Sequence, residues 1–106
     1  ADTVQNGCLS VIPGTHTMQF APDRFDAGCF LDPTQPQNRE LIERSVAVEL
    51  RPGDALFFHC RAFHAAGNNQ TDESKYSVVF TFRPFDNPPL PGTRSAALPE
   101  MTLPAT

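Results

Sequence analysis

Short apolar runs alternate with clusters of turn formers along this chain, a pattern that predicts strands joined by turns more than long helices. Cys8 to Ile12 (CLSVI) is a β-branched run that stops at Pro13-Gly14, a pair that cannot continue a ladder. From Thr17 to Gln37 the prolines and Gly28 fall too close together for long regular elements, and the stretch reads as a surface excursion. Asn38 to Arg44 (NRELIER) predicts a helix of barely two turns behind a capping Asn.

Ser45 to Leu50 (SVAVEL) alternates, with Val46, Val48 and Leu50 on one face, the period of a half-buried strand. Arg51-Pro52-Gly53-Asp54 turns the chain into Ala55 to His59 (ALFFH), and these two strands are expected to be antiparallel neighbours. The turn formers from Gly67 to Glu73 separate the histidine-bearing segment from Tyr76 to Phe82 (YSVVFTF), which predicts a hairpin. Beyond Arg83 the prolines at 84, 88, 89, 91, 99 and 104 exclude a central strand or long helix. The expected organisation is therefore an all-β domain over residues 1–83 and a Pro-rich tail over residues 84–106.

Composition narrows the function classes. A chain of 106 residues holds one domain at most, and its 40% hydrophobic fraction with nine Phe supplies apolar area for a small sheet structure. A net charge of −4 with no basic cluster argues against nucleic acid or an anionic membrane as partner. No apolar stretch approaches a bilayer span, and no leader opens the chain, so a cytoplasmic protein is expected. Cys8, Cys29 and Cys60 are odd in number and widely spaced, and read as free thiols with structural roles.

Three histidines carry the candidate metal or acid–base chemistry: His16, His59 and His64. Taken singly, each reads as structural. His59 and His64 differ by an odd number of residues, so an uninterrupted strand would send them to opposite faces. Ala65, Ala66 and Gly67 leave room beside His64, whereas Phe57, Phe58 and Cys60 crowd His59, which reads as a packed residue. Lys75 and Ser77 fall on one face of the next strand, where a cation and a hydroxyl can hold a carboxylate; an ordinary solvated lysine is the plainer reading.

The phrases NGCLSVIPGTH (6–16), PGDALFFH (52–59), FHAAGNNQT (63–71) and KYSVVFTF (75–82) resemble, in order, the C-terminal half of the phytanoyl-CoA dioxygenase family. The resemblance implies part of a double-stranded β-helix, a jelly-roll or cupin-like fold, in an iron(II)- and 2-oxoglutarate-dependent oxygenase acting on a small or acyl-type organic substrate. It implies His64 as the distal iron ligand, and Lys75 with Ser77 as the anchor of the 2-oxoglutarate carboxylate. It leaves His59 without a ligand role, and makes Asn6 and His16 turn residues near the pocket mouth. Lys75 stands where the family has an arginine; it keeps the charge and loses the bidentate fork.

The family's His-x-Asp motif, which supplies the other two iron ligands and precedes the NGCL phrase, occurs nowhere in this sequence. The chain starts just before that phrase, so the expectation is a fragment that holds iron weakly and turns over little by itself. Open sheet edges left by missing strand partners predict a homo-oligomer. The competing reading is a cupin-like metal- or small-molecule-binding module without oxygenase activity, in which His64, His59 and a carboxylate such as Asp54 or Glu49 serve another metal or none.

Overall fold

The apolar run after Cys8 forms the centre of the only sheet among the described residues. In a computed structural model describing residues 1–105, Leu9–Val11 is strand β1, flanked on both sides by antiparallel partners. Val46–Val48 is β2 and His64–Ala66 is β3, giving the order β2-β1-β3. Leu9 lies opposite Val48 on one side and Ala66 on the other, and Val11 lies opposite Val46 and His64. An isolated bridge between Asp2 and Leu50 prolongs the β1–β2 pairing toward the N-terminus. The outer edges of β2 and β3 carry no strand.

Residues 1–76 make one compact unit and residues from Ser77 onward a second. In the first, a small core gathers Cys8, Ile12, Leu41 and Ala62 with the buried polar side chains of Thr15 and Asn38. Helix α1 spans Pro36–Ile42, two residues earlier than the capping argument placed it, because Pro36 takes the first helical position where a missing N–H costs nothing. That places Asn38 inside the helix, fully buried. Its amide donates to the carbonyls of Arg24 and Asp32 at 2.8 and 2.9 Å, and its Oδ1 accepts from Arg24 Nε at 2.5 Å. One asparagine thus ties the 17–37 excursion to the helix. Phe20, Phe25 and Phe63 pack edge-on or tilted within 6.2 Å of one another, with the Arg24 guanidinium over Phe20.

Two predicted strands do not form. ALFFH is irregular, with Phe57 83% exposed, and Val46–Val48 of SVAVEL pairs with β1 and not with ALFFH. YSVVFTF is likewise outside any ladder, and its large apolar side chains are exposed, so the predicted hairpin is absent. Strand propensity expresses fit to a paired, half-buried surface, and without a partner strand it yields only extended backbone. Among the cysteines, Cys8 is a core residue as expected, whereas Cys29 and Cys60 are exposed free thiols with no packing role.

In the second unit the Pro-rich tail is irregular apart from one helical turn, α2, at Arg94–Ala97. It is organised by a two-pronged ion pair: Arg83 Nε and Nη2 reach Glu100 Oε1 and Oε2 at 2.9 and 2.6 Å, while Nη1 donates to the carbonyls of Pro84 and Phe85. The hydrogen bonds from Arg83 hold the Glu100 carboxyl below the usual carboxylate range. The contact is therefore complete above that range and lost as pH falls through Glu100's lowered value. Acid titration followed by NMR is expected to move the Glu100 carboxyl and Arg83 Nε resonances together, at a pH below that of an ordinary glutamate; separate transitions would mean the pair does not hold the tail.

Candidate functional site

The segment from His59 to His64 is not one strand. The Ala62 N–H donates to the His59 carbonyl at 2.9 Å, closing a turn, and β3 begins only at His64. Face alternation therefore does not apply between the two histidines. Nor does crowding: His59 is exposed, so the packed-residue reading is corrected by the exposure of the whole 57–60 stretch.

Hydrogen bonding separates the two rings instead. His64 Nδ1 lies 2.8 Å from the Ala62 carbonyl. A carbonyl can only accept, so Nδ1 carries a proton, and in the neutral ring Nε2 presents its lone pair. This is how a metal-ligating histidine is usually held, with the far nitrogen donating to a backbone carbonyl. His59 Nδ1 accepts the Arg61 N–H at 3.1 Å. A backbone amide can only donate, so in the neutral ring the proton sits on Nε2, and neither nitrogen is ready for a metal. The His59 ring lies 5.4 Å from that of His16, and the His64 ring leans on Phe58 at 4.8 Å. His64, Ala65 and Ala66 are exposed, consistent with room beside the imidazole.

Lys75 sits at the other end of β3. Its ammonium donates to the Gly7 carbonyl at 2.7 Å and stands 2.9 Å from Asp2 Oδ1, which has no other polar partner among the described residues. Gly7 in turn meets Gly67 backbone to backbone, three residues beyond His64, which is about 10 Å along a strand. Lys75 is thus a part-buried cation that donates to one carbonyl and is ion-paired with Asp2. It borders an open polar groove of about 620 Å³, whose lining also includes Asn6, Asp72 and Glu73. Sequence reasoning did not foresee the Asp2 partner, because nothing in the spacing of residues 2 and 75 signals it.

Ser77 is exposed and opens the second unit. Asn6 is a turn residue as expected: its Oδ1 accepts the Thr3 N–H and its amide donates to the Ala1 carbonyl, both at 2.8 Å. His16 lies in a 3-10 turn, Thr15–Thr17. Among the described residues no three His, Cys, Asp or Glu side chains converge as a metal site. The fit to iron(II) is accordingly partial: His64 turns Nδ1 to a backbone carbonyl as a ligand would, and among the described residues no group of three ligating side chains assembles around it.

Residues 2–77 match the phytanoyl-CoA dioxygenase (PhyH) family, and the chain belongs to that family of dioxygenases. It is 34% identical over 79 residues to a probable phytanoyl-CoA dioxygenase of Caenorhabditis elegans, an alignment covering 72% of this chain and 25% of that protein. It is 30% identical over 84 residues to the peroxisomal phytanoyl-CoA dioxygenase of Homo sapiens, covering 76% and 25%. The chain spans about a quarter of the length of the curated relatives it matches. No solved structure matches it significantly. The family is one of oxygenase-type enzymes, and the paired antiparallel strands fit a piece of a β-rich fold.

Proposed function

We propose that the chain is the C-terminal part of a double-stranded β-helix dioxygenase that uses iron(II) and 2-oxoglutarate to hydroxylate a small or acyl-type substrate, with His64 as one iron ligand. The observation that carries this reading is the contact of His64 Nδ1 with the Ala62 carbonyl, which in the neutral ring leaves Nε2 free, in a chain of this family. When bound, iron would supply oxygen activation; the protein's part is to hold ligands and substrate. Among the described residues no set of three ligating side chains forms, and the chain spans about a quarter of its relatives, so the activity is assigned to a protein carrying the whole family domain.

Lys75 is the proposed anchor of the 2-oxoglutarate carboxylate. Its ammonium borders the groove, but Asp2 already balances its charge, and Asp72 and Glu73 share the groove. Arg83, the other cation on this stretch, is held on both sides of its guanidinium by Glu100 and two carbonyls, which favours Lys75.

The test is iron(II)-dependent 2-oxoglutarate decarboxylation by a protein with the complete family domain. Activity is expected, and Lys75→Ala is expected to raise KM for 2-oxoglutarate at least tenfold, about the 1.4 kcal/mol expected of one charge-assisted contact, while leaving iron affinity unchanged. An unchanged KM would remove Lys75 from the site. Absence of any iron-dependent turnover would favour the cupin-like binding module.

A further inference from the structure

We propose that Thr15 is a positioning residue for His64, acting through the Ala62–Phe63 peptide; this rests on the reading of His64 as a ligand. Thr15 is 2% exposed, at the start of the turn that follows Pro13-Gly14. Its hydroxyl donates to the Ile12 carbonyl at 2.7 Å and accepts the Phe63 N–H at 2.9 Å. The Ile12 N–H donates to the Phe63 carbonyl at 2.9 Å. Both polar backbone groups of Phe63 are therefore bound to residues 12–15, one through backbone and one through the threonine side chain.

The Phe63 N–H and the Ala62 carbonyl belong to the same peptide unit. Because that unit is planar and trans, fixing the direction of its N–H fixes the opposite direction of its carbonyl. The Ala62 carbonyl is the group that accepts from His64 Nδ1. A relay runs from Thr15 Oγ1 through one rigid peptide to the imidazole, and each hydrogen bond polarises the next. Ala62 is 7% exposed, so solvent offers this peptide little alternative partnership. The hydroxyl of Thr15 thereby selects the protonation pattern that leaves His64 Nε2 bare. Valine, of the same shape, would leave the Phe63 N–H without its partner and release the peptide to rotate.

The test follows the ring nitrogens of all three histidines by long-range proton–nitrogen NMR in the 15N-labelled chain. The wild type and Thr15→Ser are expected to show His64 protonated at Nδ1. Thr15→Val is expected to raise the ratio of Nε2–H to Nδ1–H forms of His64 about fivefold, the loss of one net hydrogen bond, with the His59 pattern unchanged. An unchanged His64 ratio in folded Thr15→Val overturns the proposal. Should the valine variant not fold, the wild type still decides: slow exchange of the Phe63 amide together with a protonated His64 Nδ1 is required, and a freely exchanging amide or an Nε2–H form overturns it. Cobalt(II) added to the same sample tests the ligand reading separately, since it is expected to broaden His64 before His16 or His59. If it broadens only those two while the valine variant still shifts the His64 ratio, the ligand reading falls and the positioning role stands.

Discussion

Gly7→Ala is expected to separate β3 from β1 and unfold the first unit. Gly7 has φ +82°, a left-handed conformation that costs an alanine about 1–2 kcal/mol. The larger cost is steric. A Cβ there would stand 2.4 Å from the Gly67 carbonyl oxygen and 2.9 Å from its carbon, both backbone atoms that cannot swing aside. The segment that must yield contains the start of β1 and the exit of β3, and Gly7 also gives its carbonyl to Lys75. A destabilisation of about 4 kcal/mol or more is expected, at the extreme of single-substitution effects. Gly14→Ala is the control: φ is +80° there too, but no atom lies within 4 Å of the added Cβ, so the loss should stay near the backbone cost alone. Denaturant melts of both variants measure the difference, and equal losses would show that the Gly7–Gly67 contact does not matter.

Asn38→Ala is the second large effect. Asn38 is fully buried, and its removal strips partners from the Arg24 and Asp32 carbonyls and from Arg24 Nε. Leaving buried groups unpaired costs about 1–3 kcal/mol each when water cannot reach them, so a loss of about 3–5 kcal/mol is expected. Asn38→Asp sharpens the test. It preserves the acceptor for Arg24 Nε but turns an anionic oxygen toward two carbonyls, so its loss at neutral pH should match or exceed that of the alanine. Raised in the folded state by this repulsion, the aspartate's pKa would make the variant recover stability as pH falls. A mild effect in both variants would mean that the 17–37 excursion is not organised by this side chain.

What the sequence revealed of this architecture depended on whether an element carries its own instructions. CLSVI announced β1 because its turn is written beside it in Pro13-Gly14, and NRELIER announced α1 because helical bonds are local. ALFFH and YSVVFTF look at least as strand-like, yet neither forms a ladder, because strand formation depends on a partner that no local pattern specifies. The family resemblance picked out His64 and Lys75 through ordered phrases and a spacing. The reason His64 differs from His59 was not legible, since it lies in which backbone group each Nδ1 meets, a carbonyl in one case and an amide in the other. The crowding argument reached the same preference by a route the exposed 57–60 stretch does not support. Asp2 beside Lys75 was equally hidden, a contact made across 73 positions by the bridge from Asp2 to Leu50 and the reach of one lysine.

The two histidines of HCRAFH are held differently, and of the two His64 is the proposed metal ligand. The most direct measurement compares His64→Ala with His59→Ala in a protein carrying the complete family domain, reading iron(II) retention and iron-dependent 2-oxoglutarate decarboxylation together. Loss of both in the first variant, by at least a hundredfold, with both retained within a fewfold in the second, is the predicted result. Activity surviving in His64→Ala, or lost equally in His59→Ala with the fold intact, would contradict it.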